Sequence, residues 1–225
     1  MLEVLRTRVL SEEAMASASD ADLEQNLRDL RFINRWTGAR RKLRSILGEH
    51  FVSTEAFSFL DVGAASGDIA HNVREAFPNS RTIVLDLDPR NLRLAPEPKL
   101  SGDAFHIPLR DDSCDVAHCS LFLHHFSSQD CARILAEMYR VARKLVIVQD
   151  LHRHPIAYRF LPWTKSLFLW HPLTIDDGML SVAAGWKKDE LFEILQATRL
   201  AEQSRIQWHF PSFRYFIAIS KREFH

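Results

Sequence analysis

The chain has 225 residues, 46% of them hydrophobic and 26% charged, with 29 basic side chains balancing 29 acidic ones. That length holds one domain with a sizeable core and is barely enough for two. Balanced charge supplies no overall field toward nucleic acid or an acidic surface, and no stretch reaches the roughly 18 apolar residues that cross a bilayer. The three cysteines, Cys114, Cys119 and Cys131, match neither a disulfide framework nor a zinc-ligand spacing. The first twenty residues carry early acids and no apolar core of signal-peptide length, so a cytoplasmic protein without a membrane span is expected.

In chain order, residues 20–47 read as a helix pair, with seven basic residues between Arg28 and Arg44. The strip is either a solvated amphipathic face or a lid whose Phe32, Ile33 and Trp36 close over a substrate. Next comes FLDVGAASGDIA at 59–70, an apolar run ending in Asp61 and a loop of small residues, Gly63, Ala65 and Gly67. Small residues at this spacing let backbone approach backbone or ligand closely, and alone they also make a plain tight turn. The following segment places Ile69, Val73 and Phe77 four apart, the spacing of one helical face, until Pro78 stops it. RTIVLDLD is a second strand ending in Asp86, and another strand ends around GDAFHIPL. DSCDVAHCSLFL and LVIVQDL are further strands around a helix with Ile134, Leu135, Met138 and Val141 on one side.

Residues 152–184 form a long aromatic connection after a strand end, where loops of such length are usually functional or act as lids. A cap of this kind suits a hydrophobic or aromatic small molecule, with Trp163 and Trp170 expected in its pocket. A helix from about Lys187 then precedes SRIQWHF and RYFIAISK. Only PSF separates these two strands, too short for a parallel crossover, so they pair antiparallel. Strand–helix alternation with apolar strands implies an α/β fold, an open and mainly parallel sheet covered on both faces and ending in a hairpin. Ligands of such sheets sit outside the carboxyl ends of the strands. Asp86, some 20–25 residues after the glycine loop, stands where an acid would hold a ribose diol.

The series LDVGAASGD, VLDLDP and GDAFHIPLRDDSCDVAHCSLFLHHF resembles the class I S-adenosylmethionine-dependent methyltransferase family, over roughly residues 57–150. The resemblance implies a seven-stranded Rossmann-like sheet and S-adenosylmethionine as cofactor. It places Asp61, Gly63, Ala65 and Gly67 under the methionine part, Asp86 with Leu87 at the ribose, Asp103 with Ala104 at the adenine, and Ser120 with Leu121 near the sulfonium. The family's middle glycine is Ala65 here, and its extra methyl implies a tight fit. The implied organisation is an N-terminal helical lid at 1–50 and a methyltransferase domain at 51–225, with a substrate cap inserted at about 152–184.

The implied reaction moves a methyl group to a small phenolic, quinone or polyketide-like acceptor, to oxygen in preference to carbon. From FLHHF the resemblance points to His125 as general base, with His124 in reserve. On an extended segment the two would point to opposite sides. No metal is expected, since His152 and His154 lack a ligand set, and His106, His118, His171 and His209 read as structural or surface groups. Nucleic acid is not expected as a partner. The alternatives are a non-catalytic methyltransferase-fold module that binds a protein, and an RNA methyltransferase using the Arg28–Arg44 strip.

Overall fold

A computed structural model describes residues 3–10 and 18–221. Residues 1–2 and 11–17 of the expected lid domain, and residues 222–225 of the expected methyltransferase domain, lie outside the described residues. Among these residues seven strands form one sheet: β1 (Ser58–Val62), β2 (Arg81–Asp86), β3 (Lys99–Ser101), β4 (Cys114–Ser120), β5 (Ala142–Leu151), β6 (Ser204–His209) and β7 (Arg214–Ser220). Their order is β3-β2-β1-β4-β5-β7-β6. The first five are parallel, and β7 pairs antiparallel with both β5 and β6. The expected Rossmann-like sheet with its C-terminal hairpin is therefore the observed one. The order reverses between β1 and β4, which opens a crevice at their carboxyl ends.

Among the described residues seven α-helices cover the sheet: α1 (Asp20–Trp36), α2 (Ala39–Gly48), α3 (Asp68–Ala76), α4 (Ser128–Val141), α5 (Pro155–Phe168), α6 (Pro172–Ala184) and α7 (Lys188–Ala197). Strand alternation divides the core in two. On one face Phe59, Val116, Ile147 and Phe216 pack against Leu43 and Leu47 of α2 and Ile69 and Val73 of α3. On the other, Leu60, Ala117, Val146 and Ile217 meet Ile134 and Met138 of α4 and Leu191 and Ile194 of α7. Ser127 begins α4 as its cap, accepting from the Asp130 amide at 3.1 Å.

Helices α5 and α6 occupy the long aromatic connection, and α1 lies against α6 through a buried polar seam. Thr174 donates to Asp29 at 2.8 Å and to Asn26 at 3.2 Å, while Asp29 also accepts from the His171 amide at 3.0 Å. The N-terminal segment is tied down by Arg8, whose guanidinium donates to the carbonyls of Ala184, His124 and Phe126 and stacks 3.5 Å from the Trp186 ring. Among the described residues no helix is long and apolar enough to cross a membrane.

Candidate functional site

Register and alternation together build a polar tier at the top of the α2–α3 face. Phe59 and Asp61 share a side of β1, Val116 and His118 a side of β4, and Ile147 and Gln149 a side of β5. In each pair the second residue is nearer the carboxyl end. Asp61 stands directly opposite His118 in the parallel ladder, so its Oδ1 reaches His118 Nδ1 at 2.7 Å, both groups fully buried. His118 Nε2 lies 3.2 Å from Gln149 Nε2, so with Asp61 as acceptor at Nδ1, the imidazole accepts from the amide at Nε2. The tier continues to Arg214, which is paired with Leu151 at the start of β7.

Above this tier is a cavity of about 230 Å³, walled by α1, α5, α6, the glycine loop and the ends of β4, β5 and β7. It brings together Asp61, Gly63, Ala65, Ser120, Leu121, His124 and His125. Gly67, Asp86, Leu87, Asp103 and Ala104 do not line it. Asp86 instead braces the loop from outside. Its Oδ2 accepts from the Ala65 amide at 2.9 Å, and its Oδ1 from the Asp88 amide at 3.0 Å and the Asn91 amide group at 3.2 Å. Burial pushes the Asp86 carboxyl up, against the pull of these hydrogen bonds. Leu87 beside it is exposed, and Asp103 turns back to accept from the Phe105 amide at 2.9 Å.

The loop's small residues are explained by what they touch. A Cβ on Gly63 would stand 2.3 Å from the Phe122 ring, and one on Gly67 would stand 2.4 Å from Pro96. Both glycines have positive φ, 64° and 67°. Ala65 is also left-handed, with φ 46°, so the expected tight fit is a matter of backbone conformation, costing roughly 1–2 kcal/mol for a non-glycine residue.

Several placements differ from expectation. Residues Leu123–His125 form a short 3-10 turn, not an extended segment, so His124 and His125 do not diverge. Their rings lie 3.9 Å apart and both line the cavity. Trp163 is 66% exposed, and Trp170 is buried against Phe32 and Phe168 with its indole N–H on Thr164. Neither lines the cavity, which takes Ala157, Phe160 and Leu161 from α5. Of the three residues expected to close over a substrate, Phe32, Ile33 and Trp36, Ile33 alone lines the cavity. Helical spacing puts Leu27, Leu30, Ile33, Asn34 and Thr37 on the cavity side and leaves Trp36 72% exposed.

The structure also reveals site groups that the motifs did not single out. Asp150 closes β5 and holds His124 twice, accepting from its amide at 3.0 Å and meeting its Nδ1 at 2.6 Å. Burial opposes charge on Asp150, yet His124 and the Leu151 amide hold its carboxyl below the ordinary range, so it is ionised at neutral pH. An acid ending an otherwise apolar strand was the available signal. Asn34, Asp68 and Arg214 gave none, being ordinary surface-type residues in sequence.

Residues 60–148 match the family model described as a methyltransferase domain. That segment is similar to a methyltransferase domain. The chain is similar to strychnine O-methyltransferase of Strychnos nux-vomica, 36% identical over 102 residues, or 40% of this chain and 26% of that one. It is also similar to the malonyl-[acyl-carrier protein] O-methyltransferase of Dechloromonas aromatica, 30% identical over 106 residues, covering 46% and 39%. The chain thus spans well under half the length of these curated relatives. Its fold resembles that of magnesium protoporphyrin IX methyltransferase from Synechocystis PCC 6803, solved with bound SAH, at TM-score 0.55 and 12% identity over 81% of this chain and 80% of that one.

The residues at the glycine loop and the end of β2 fit a bound methyl donor at two places. Asp61 Oδ2 is buried on the cavity wall and makes no hydrogen bond among the described residues, which suits the donor's ammonium group. Asp86 is an ionisable acceptor at the end of β2, which suits a ribose diol. The Phe122 ring rests on Gly63 of the intervening loop. Among the described residues no cluster of three or more His, Cys, Asp or Glu is placed to hold a metal.

Two outcomes are expected from the loop. Gly63→Ala should lower stability by about 1–3 kcal/mol through overpacking, and Phe122→Ala in the same chain should recover part of the loss; denaturant unfolding of the single and double variants measures both. Donor affinity should fall as pH drops through the raised Asp86 pKa, because the protonated acid loses acceptor capacity. Calorimetric titration with S-adenosylhomocysteine should show Asp86→Asn lacking that step, and an unchanged pH profile would remove Asp86 from the donor site.

Proposed function

We propose that the protein is an S-adenosylmethionine-dependent methyltransferase acting on oxygen of a small, largely apolar acceptor. The carrying observation is one cavity that joins the glycine loop and Asp61 on one side to the Asp150–His124 pair on the other, under an apolar roof from α1, α5 and α6. The O-methyltransferase relatives support the reading. In this organisation α1 and α2 are a lid on the methyltransferase domain, and α5 and α6 are its acceptor cap. Asp61, Gly63, Ala65, Gly67 and Ser120 serve the methionine side of the donor, and Asp86, Leu87, Asp103 and Ala104 its nucleoside side.

When bound, the donor supplies a methyl group already activated by a sulfonium. The chain has to exclude water, align the acceptor oxygen and take its proton. Leu30, Ile33, Leu151, Phe160, Leu161 and Phe213 give the acceptor's body an apolar enclosure. For the proton, the geometry favours His124 over His125, reversing the order expected from the motif. Ionised Asp150 can only accept, so His124 Nδ1 carries the hydrogen of their 2.6 Å bond and Nε2 is the basic nitrogen. Asp150 also offsets the charge that the imidazole gains.

His124→Ala should lower kcat on a phenolic acceptor by on the order of 10²–10⁴-fold, with partial recovery at high pH where the phenol ionises unaided. Asp150→Asn should behave alike, and His125→Ala should retain more of the activity. Transfer of labelled methyl across a panel of phenols, with pH–rate profiles, measures this. Near-normal kcat in His124→Ala would leave alignment as the protein's whole contribution.

A further inference from the structure

Arg214 opens β7, 2% exposed, on the same side of the strand as Phe216. Its Nη2 donates to Asn34 Oδ1 at 2.6 Å. Its Nε and Nη1 are buried and make no hydrogen bond among the described residues, although the side chain lines the cavity. A buried charge leaving two donors unused is costly unless something else satisfies them. The nearest acids do not. Asp68 is taken by Arg40 and by Asn34 Nδ2 at 3.2 Å, and Asp150 by His124 and the Leu151 amide.

Burial lowers the Arg214 pKa to about 10, so the guanidinium is still charged at neutral pH. Its surroundings also narrow the ligand. The neighbouring walls at Leu151, Phe213 and Ile33 are apolar, so the missing partner is a compact anion on an otherwise apolar or zwitterionic molecule. Planar guanidinium donors match a carboxylate best.

We propose that Arg214 is the carboxylate anchor of this cavity, held in place by Asn34 of the lid. The proposal rests on the reading of the cavity as a donor and acceptor site. The carboxylate has two available sources: the amino-acid end of the methyl donor, or an acid group on the acceptor.

Calorimetry with the full chain separates them. If the donor is the source, S-adenosylhomocysteine binds Arg214→Met at least tenfold more weakly than wild type. 5′-Methylthioadenosine, which lacks the amino-acid end, binds both equally. If the acceptor is the source, S-adenosylhomocysteine affinity is unchanged. Cinnamate or octanoate then binds the wild-type complex at least tenfold more tightly than its amide, and Arg214→Met abolishes that preference. Equal S-adenosylhomocysteine binding together with no acid–amide preference in wild type overturns the proposal. Should Arg214→Met not fold, wild type still decides: S-adenosylhomocysteine is compared with its decarboxylated analogue, and each acid with its amide. Should wild type not bind S-adenosylhomocysteine at all, the donor reading fails by itself, and acid against amide on the chain alone judges Arg214.

Discussion

Asn34 is the joint on which the cavity's shape depends. Its carbonyl accepts from Arg214 of β7, and its amide donates to Asp68 at the first turn of α3, which is paired in turn with Arg40 of α2. One side chain thus fixes α1 over the start of β7 and over the glycine loop at once. Asp68 carries its own compromise: burial raises its carboxyl while Arg40 and Asn34 draw it down, with burial the larger effect. An acid at the first position of a helix is favoured by the helix dipole, which helps keep it ionised for these contacts. Losing the amide of Asn34 would leave two buried, charged groups short of a partner, so the joint is stabilised by the cost of breaking it more than by the strength of its bonds.

The same logic of register explains why the acids and bases of the site meet. A parallel ladder sets equivalent residues of adjacent strands side by side, and alternation decides which of them face the same way. Asp61 and His118, 57 positions apart, become hydrogen-bonding neighbours through this rule. His118 then does for Asp61 what Asp150 does for His124: a buried partner fixes the direction of one polar group of a side chain at the cavity wall. The apolar rows below, from Phe59 to Phe216, hold the strands in that register because a slip of one residue would bury the polar tier in the core.

This separates what was legible in the sequence from what was not. The sheet could be read because Val, Ile and Leu runs, helical spacing and the three-residue PSF turn each constrain local structure, and strands ordered this way leave little freedom in topology. The glycine loop and Asp86 could be read because they lie within one strand–loop–helix–strand unit. Arg214, Asn34 and Asp68 could not, since their partners are 180 and 34 positions apart and neither helix phase nor register predicts that three elements converge. Trp163 and Trp170 misled for a related reason: aromatic content marks a segment that needs burial or contact, but the phase of α5 decides which side chains face in, and small Ala157 and Gly178 rather than the tryptophans make the room. His124 and His125 turned on the local backbone, a 3-10 turn where an extended strand end was expected.

The nature of the roof bears on how an acceptor enters. The sheet side of the cavity is closed by ladder hydrogen bonds and a continuous core, both cooperative and expensive to open. The seam between α1 and α6 is different, being held by Thr174, Asn26, Asp29 and a long 3.5 Å contact from Asn26 to Asp177. Groups of this kind exchange one another for water at modest net cost, whereas parting an apolar contact exposes surface that water cannot satisfy. A polar seam over an apolar cavity therefore allows α1 and α6 to separate while the glycine loop, Asp61 and the Asp150–His124 pair keep their geometry. Closure then restores a dry enclosure in which Asp61 and Asp150 act at full strength, since a low dielectric magnifies every charge interaction that remains.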